Sequence, residues 1–217
     1  MKRRHVHRTL VRLALGGLVF MQVPSVRAGA YEDFFRAIEV DNDSALRQLL
    51  ARGMDPNTLD PKGLHPLFLA LRGGSSKVVA LLLQHPDTRV DVANAVGETP
   101  LMMAALRANV EAMKALIGRG AQVNRPGWSP LHYAASSPSP APVQMLLDLG
   151  AEVNARAPNG NTPLMLAARY GSEESVALLL KKGADRSLRN DRQFDAAGFA
   201  RLDGREALAR RLESGGF

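Results

Sequence analysis

The chain has 217 residues, 46% of them hydrophobic, enough to bury a substantial core as one long domain or as an array of units. Its formal charge is +7, but residues 1–28 hold six of the bases (Lys2, Arg3, Arg4, Arg8, Arg12 and Arg27) and no acid, leaving 22 bases against 21 acids. The remainder is close to neutral, which removes the phosphate-driven attraction that dominates nucleic-acid binding, so no nucleic-acid partner is expected.

The first segment has a basic start, then an apolar run from Leu13 to Val23 broken only by Gly16, Gly17 and Gln22, then small residues around Val26-Arg27-Ala28. This order reads as a secretory signal peptide over residues 1–28, cut after Ala28 or Ala30. The apolar run is short of the roughly 20 residues a spanning helix needs, so no stable membrane insertion is expected after cleavage. The alternative is tethering by an uncleaved signal. Arg3-Arg4 is followed by His5-Val6-His7, a poor match to twin-arginine export. There is no cysteine, hence no lipid-attachment site, disulfide framework or thiolate metal site, and packing alone must hold the exported chain together.

From Tyr31 to Leu50, apolar residues at Phe34, Phe35, Ile38, Ala45, Leu46, Leu49 and Leu50 predict two short helices around Asp41-Asn42-Asp43-Ser44, with Asp43 or Ser44 capping the second. That helix stops at Gly53. A second unit opens at Gly63, and its outer helix, Lys77 to Leu83, ends before Pro86, which cannot continue a helix. Further units open at Gly97, Gly127 and Gly160, with outer helices closing at Gly120, Gly150 and Gly183. A degenerate stretch over 193–213 keeps Ala200, Leu208 and Leu212 at matching offsets without the proline, as suits a terminal cap whose outer face meets water. The units run over about 31–62, 63–96, 97–126, 127–159 and 160–192, and the loops before Gly97 and Gly127 read as shorter than those before Gly63 and Gly160.

The repeated stretch is clearest at Gly160-Asn161-Thr162-Pro163-Leu164 with Ala167-Ala168. It returns as Gly97-Glu98-Thr99-Pro100-Leu101 with Ala104-Ala105, as Gly127-Trp128-Ser129-Pro130-Leu131-His132 with Ala134-Ala135, and loosely as Gly63-Leu64-His65-Pro66-Leu67 with Ala70. A hydroxyl before proline caps a free backbone N–H, and proline in the first turn forfeits no hydrogen bond. Leu gives a large contact, and the small Ala pair lets neighbouring helices approach. Glycine at 53, 120, 150 and 183 supplies the left-handed conformation that ends a helix.

These residues and their spacing resemble the ankyrin repeat, with its period near 33 and Thr-Pro-Leu-His-x-Ala signature, over about Tyr31 to Leu212. The resemblance implies an all-α solenoid of helix-turn-helix units with β-turn tips: about four full repeats between N- and C-terminal capping units, spanning 31–213. Departures are local: His65 stands in place of a capping Thr, and Pro138-Ser139-Pro140-Ala141-Pro142 fills one interhelical loop.

Chemistry of the catalytic kind finds little footing. His65, His85 and His132 have no helical i, i+4 pairing, and His132 stands at the family's structural histidine position. Ser129 reads as the cap of its own helix rather than a nucleophile, with no Gly-x-Ser-x-Gly elbow. Asp41, Asp43, Glu173 and Glu174 fall in turns or helix starts, where they favour the helix dipole. No phosphate-cradling loop is present, and no cofactor or metal is expected.

The resemblance implies a concave face, formed by turn tips and the open side of the inner helices, that grips a protein. Matching positions are Lys62, Leu64 and Arg72; Val96, Glu98, Leu106 and Arg107; Arg125, Trp128 and Ser137; and Asn159, Asn161, Arg169 and Tyr170. Trp, Tyr and Arg dominate interface hot spots, so Trp128, Tyr170, Arg107 and Arg169 are the expected anchor, with Arg125, Arg72, Asn159 and Asn161 beside them. The alternative is that Trp128 covers its own unit's proline-rich loop. The expected function is a non-catalytic, monomeric, periplasmic scaffold for a protein partner. The alternative is a secreted, extracellular effector or toxin-associated protein acting on a foreign target.

Overall fold

The computed structural model describes residues 28–217. Residues 1–27, which carry nearly all of the expected signal peptide, lie outside the described residues. The described residues form twelve α-helices and no strand: α1 (Ala28–Glu39), α2 (Asp43–Ala51), α3 (Pro66–Gly73), α4 (Ser76–Gln84), α5 (Pro100–Leu106), α6 (Val110–Gly118), α7 (Pro130–Ala135), α8 (Ala141–Asp148), α9 (Pro163–Tyr170), α10 (Glu173–Lys181), α11 (Ala196–Leu202) and α12 (Glu206–Ser214). They pair in sequence, an odd-numbered inner helix with the outer helix that follows. Inner helices stack α1 to α11 in order, and outer helices α2 to α10 stack behind them. The fold is an all-helical solenoid.

The repeated residues set this arrangement. Thr99 and Thr162 cap α5 and α9, accepting at 3.4 Å from the N–H groups of Met102 and Met165. Leu67, Leu101, Leu131 and Leu164 are buried one residue after each proline, as are the Ala pairs of α5, α7 and α9. Small side chains there let the backbones come together. Gly171 shows how closely: a Cβ built on it would sit 2.2 Å from the Ala135 carbonyl oxygen of the preceding inner helix. Each of Asn57, Asn124 and Asn154 bridges to the next unit, donating to a carbonyl there (Asp87, Gly150, Gly183) and accepting from an N–H (Arg89, Glu152, Asp185).

Several local expectations are corrected. α2 is capped by Asn42, whose side chain accepts from the Ala45 N–H, not by Asp43 or Ser44, which lie inside the helix. Asp41 instead reaches the neighbouring unit, accepting from the Val78 N–H at the start of α4. The start of that helix needs an acceptor from outside because its own flanking Ser75 turns its hydroxyl to the Ile38 carbonyl. The loop before α5, residues 85–99, is not short. Only the loop before α7 is, with 11 residues at 119–129 against 14 at both 52–65 and 149–162.

Arg119 and Arg205 take over where the periodic frame fails. The second outer-helix exit, at His85 and Pro86 after α4, lacks the usual glycine, and the Arg119 guanidinium donates to the carbonyls of Leu83, His85, Pro86 and Thr88. Arg205 in the terminal unit donates to Ala167, Ala168 and Gly171, closing the end of α9.

Candidate protein-binding surface

The turn tips are built alike. At the second tip the Asn94 carboxamide oxygen accepts from the Val96 and Glu98 N–H groups, and Gly97, at φ 84°, donates to the Asn94 carbonyl. Asp60 and Asn190 do the same at the first and last tips. The third tip, in the short loop, makes neither closing backbone bond among the described residues, and it carries Trp128.

The indole of Trp128 lies edge-on to His132, with ring centres 5.4 Å apart, and to Tyr133 at 6.3 Å. It therefore leans on α7 of its own unit. With Leu106, Leu166 and Tyr170 it walls a recess of about 460 Å³ that is predominantly apolar. A second recess of about 540 Å³ adjoins it, sharing Trp128, Leu166 and Tyr170 and extending to Asn159, Arg169, Phe194 and Leu202. Tyr170 and Leu202 are each about half exposed, at 50% and 49%. Arg169 stacks on the Tyr170 ring, its guanidinium carbon 4.8 Å from the ring centre.

Arg72, Arg107 and Arg125 are placed apart. Arg72 and Arg107 line a separate recess of about 800 Å³ at the N-terminal end, with Arg36, Lys62, Glu32 and Glu39. There Arg72 lies over Phe68, and Arg107 donates to the Arg72 carbonyl. Arg125 joins neither recess; it pairs with Asp91 at 3.1 Å. Asn161, expected to face a partner, lines the second recess but is only 7% exposed. Its side-chain oxygen accepts from Asn190 at 2.8 Å, and its carbonyl faces His132 Nε2. Ser137 is likewise buried.

Under the groove lies a polar network. The Ser129 N–H donates to His132 Nδ1 at 3.1 Å, so that nitrogen is an acceptor, and Nε2–H donates to the Asn161 carbonyl at 3.1 Å. The ring is therefore neutral with one tautomer fixed, and the Ser129 hydroxyl lies 2.9 Å from Nδ1, the two residues forming a capping box at the start of α7. Burial pulls the His132 pKa from 6.5 down to about 4. Beside it the Tyr133 hydroxyl donates to Glu98 at 2.9 Å; burial, then this carboxylate, raises its pKa above the ordinary phenol value. Glu98 is held from its other side by Asn94.

The ankyrin repeat model matches three times, over residues 34–126, 86–157 and 124–190, and so covers well over half of the chain. The chain belongs to the ankyrin repeat family. Ankyrin repeats are protein-interaction scaffolds, a family generally without catalysis. Curated relatives include the transient receptor potential cation channel subfamily A member 1 of Homo sapiens, 30% identical over 68% of this chain and 14% of that protein. The potassium channel AKT1 of Arabidopsis thaliana is 38% identical over 68% of this chain and 21% of that protein. This array thus spans about a fifth or less of the length of such relatives. A chain in the structure of a predatory endopeptidase from Bdellovibrio bacteriovorus in complex with an immunity protein is 26% identical, with a TM-score of 0.71, over 84% of this chain and 97% of that one.

In this ankyrin array, sequence reasoning missed Phe194, Phe199, Leu202 and Arg192, which the terminal unit adds to the groove. A signal existed: Phe194 follows Gln193 as Trp128 follows Gly127, but the lost glycine and proline hid the register. Ser129 is 2% exposed, and no group of three or more His, Asp or Glu among the described residues is placed to hold a metal ion. No described helix is long and apolar enough to cross a membrane.

Proposed function

We propose that this ankyrin array is a non-catalytic, monomeric scaffold in the periplasm that holds a protein partner in the groove running from Trp128 to Leu202. The observation that carries the reading is the groove itself: adjoining recesses walled by Trp128, Leu166 and half-exposed Tyr170, with Arg169 stacked at the seam. Aromatic and Arg side chains clustered in a concavity are the usual makings of an interface anchor. The basic-then-apolar leader supports export.

The test is affinity capture from a periplasmic fraction, with the wild type run beside Trp128→Ala and Tyr170→Ala variants of unchanged melting temperature. Wild type retains a stoichiometric protein that both variants lose. Equal recovery by all three refutes the groove, and a chain found only in the cytoplasm refutes the setting.

One observation favours a narrower second reading. The solved complex containing a similar chain joins an endopeptidase to an immunity protein. On that reading the partner is an envelope hydrolase that the array shields. Inhibition of the captured enzyme by wild type, relieved in Trp128→Ala, supports it, and an unaffected enzyme rejects it.

A further inference from the structure

Resting on the scaffold reading of this groove, we propose that Arg169 is the anchor for a carboxylate on the partner, and that a large apolar side chain next to that carboxylate fills the recess between Trp128, Tyr133 and Tyr170. The partner segment is thus an acidic one with an aromatic or branched aliphatic residue at its centre.

Arg169 is the exception among the partly buried arginines. Arg119 and Arg205 each donate to several carbonyls, and Arg125 has Asp91. Arg169 has no carboxylate within 4.0 Å among the described residues, and its Nε is buried without a hydrogen-bond partner. A native structure rarely leaves a buried donor unmatched, and among the described residues no protein group accepts from the other N–H groups of this guanidinium or supplies its counter-charge. The Tyr170 ring under it offers a face, 4.8 Å from the guanidinium carbon, but no carboxylate. What is lacking is a planar anion, and carboxylate matches the guanidinium fork with two parallel bonds.

The surroundings set the rest of the ligand. Arg192 lines the adjoining recess, so a cationic segment is repelled. Asp191, the one carboxylate there, makes no ion pair with Arg169. The recess of about 460 Å³ is apolar and lies within the size range of ligand pockets, so it gains most from an apolar side chain. Tyr170 lines both recesses and carries Arg169 on its ring. Carboxylate and apolar group must therefore be close neighbours, as adjacent residues of an extended chain are at about 3.3–3.6 Å per residue.

Trp128 is the sole tryptophan, so its fluorescence reports occupancy directly. The probe is a tryptophan-free peptide, acetyl-Gly-Asp-Phe-Asp-Leu-Gly-amide, titrated into the purified protein beside the counterpart with both Asp replaced by Asn. The acidic peptide is expected to bind with Kd on the order of 0.1–1 mM, about −4 to −5.5 kcal/mol, and at least about tenfold tighter than the Asn peptide, a factor worth ~1.4 kcal/mol. In Arg169→Gln the difference between the two falls within about twofold, while Tyr170→Ala weakens both; unchanged thermal melts show that each variant folds.

Equal binding of the two peptides to wild type, discrimination that survives Arg169→Gln, or no binding of either at millimolar concentration overturns the proposal. The scaffold reading fails separately. A partner captured by Arg169→Gln but lost by Trp128→Ala refutes the carboxylate anchor alone. Peptide discrimination without any captured partner refutes the periplasmic scaffold and leaves the Arg169 site standing.

Discussion

Lowering the pH from 7.5 to 4 titrates His132 in the unfolded chain before it does so in the fold. The buried ring is neutral, with Nδ1 accepting from Ser129 and Nε2–H donating to Asn161, and its pKa lies at about 4 against 6.5 when exposed. Protonation would leave Nδ1–H facing the Ser129 N–H, and would place a charge where the side chain has no solvent exposure. Because the folded pKa is the lower one, the unfolded state binds more protons between the two values, and stability falls as pH drops through that window. It is complete above about 6.5 and flat below about 4. A difference near 2.5 pKa units is worth about 3 kcal/mol, at a slope near 1.2 kcal/mol per pH unit around pH 5. Urea melts of wild type and His132→Gln at half-unit steps isolate this histidine, since carboxylate titrations common to both cancel in the difference. Wild type is expected to lose about 3 kcal/mol relative to the variant. Parallel pH profiles for the two proteins would refute the buried neutral assignment.

Gln193 holds φ 64° at the place where the other tips have glycine, so Gln193→Gly relieves left-handed strain and should stabilise by about 0.5–1 kcal/mol, read as a melting point raised by about 2 °C. A lowered melting point would mean that the side chain matters more than the backbone. Leu164→Ala empties a site with 1% exposure and should cost about 2–5 kcal/mol in urea melts; a loss under about 1 kcal/mol would misplace the repeat register. Arg119→Ala strips four carbonyls of their donor at the His85 exit, with an expected cost of about 2 kcal/mol. Faster amide exchange confined to residues 85–89 would place the damage there, and unchanged exchange would argue against the bridge.

The helix phase and core were legible because the repeat states them several times over. Pro66, Pro100, Pro130 and Pro163 each open an inner helix, and the Leu and Ala positions that follow are buried in every copy. Legibility fails where two competent residues stand together and a distant group decides between them. Asn42, Asp43 and Ser44 can each cap a helix; Asn42 does, while the adjacent Asp41 is drawn off to Val78. Ser129 stands at the cap as Thr99 and Thr162 do, but its capping box is closed by an imidazole that also meets its hydroxyl, where theirs are closed by methionine. Asn161 and Asn159 occupy the same tip, and only the bond from Asn190 in the next unit shows which one is committed to the frame. The bridges from Arg119 and Arg205 join segments more than thirty residues apart, a separation at which local pattern carries no information.

On the proposed reading, departures from the period carry the functional content. The loop before α7 is three residues shorter than its counterparts at 52–65 and 149–162, and its tip lacks the closing bonds that hold the others outward. A shorter tether reaches less far from the inner helix, and the residue at its end is Trp128, whose indole lies on His132 and Tyr133. One unit later the full-length tip sends Asn161 inward to Asn190, which clears the space beside Trp128 that Tyr170 and Leu166 line. The terminal unit, freed of the glycine and proline that the others need, supplies Phe194 and Phe199 as the far wall. The N-terminal half, whose tips at Asp60 and Asn94 keep the regular form, presents Arg36, Lys62, Arg72 and Arg107 with Glu32 and Glu39 around Tyr31, Phe35 and Leu69, a more charged lining. An ankyrin frame that repeated without error would present the same surface at every step. Here the break in the period at Trp128 makes one stretch of the inner-helix face unlike the rest, and on the proposed reading that stretch is where a partner is held.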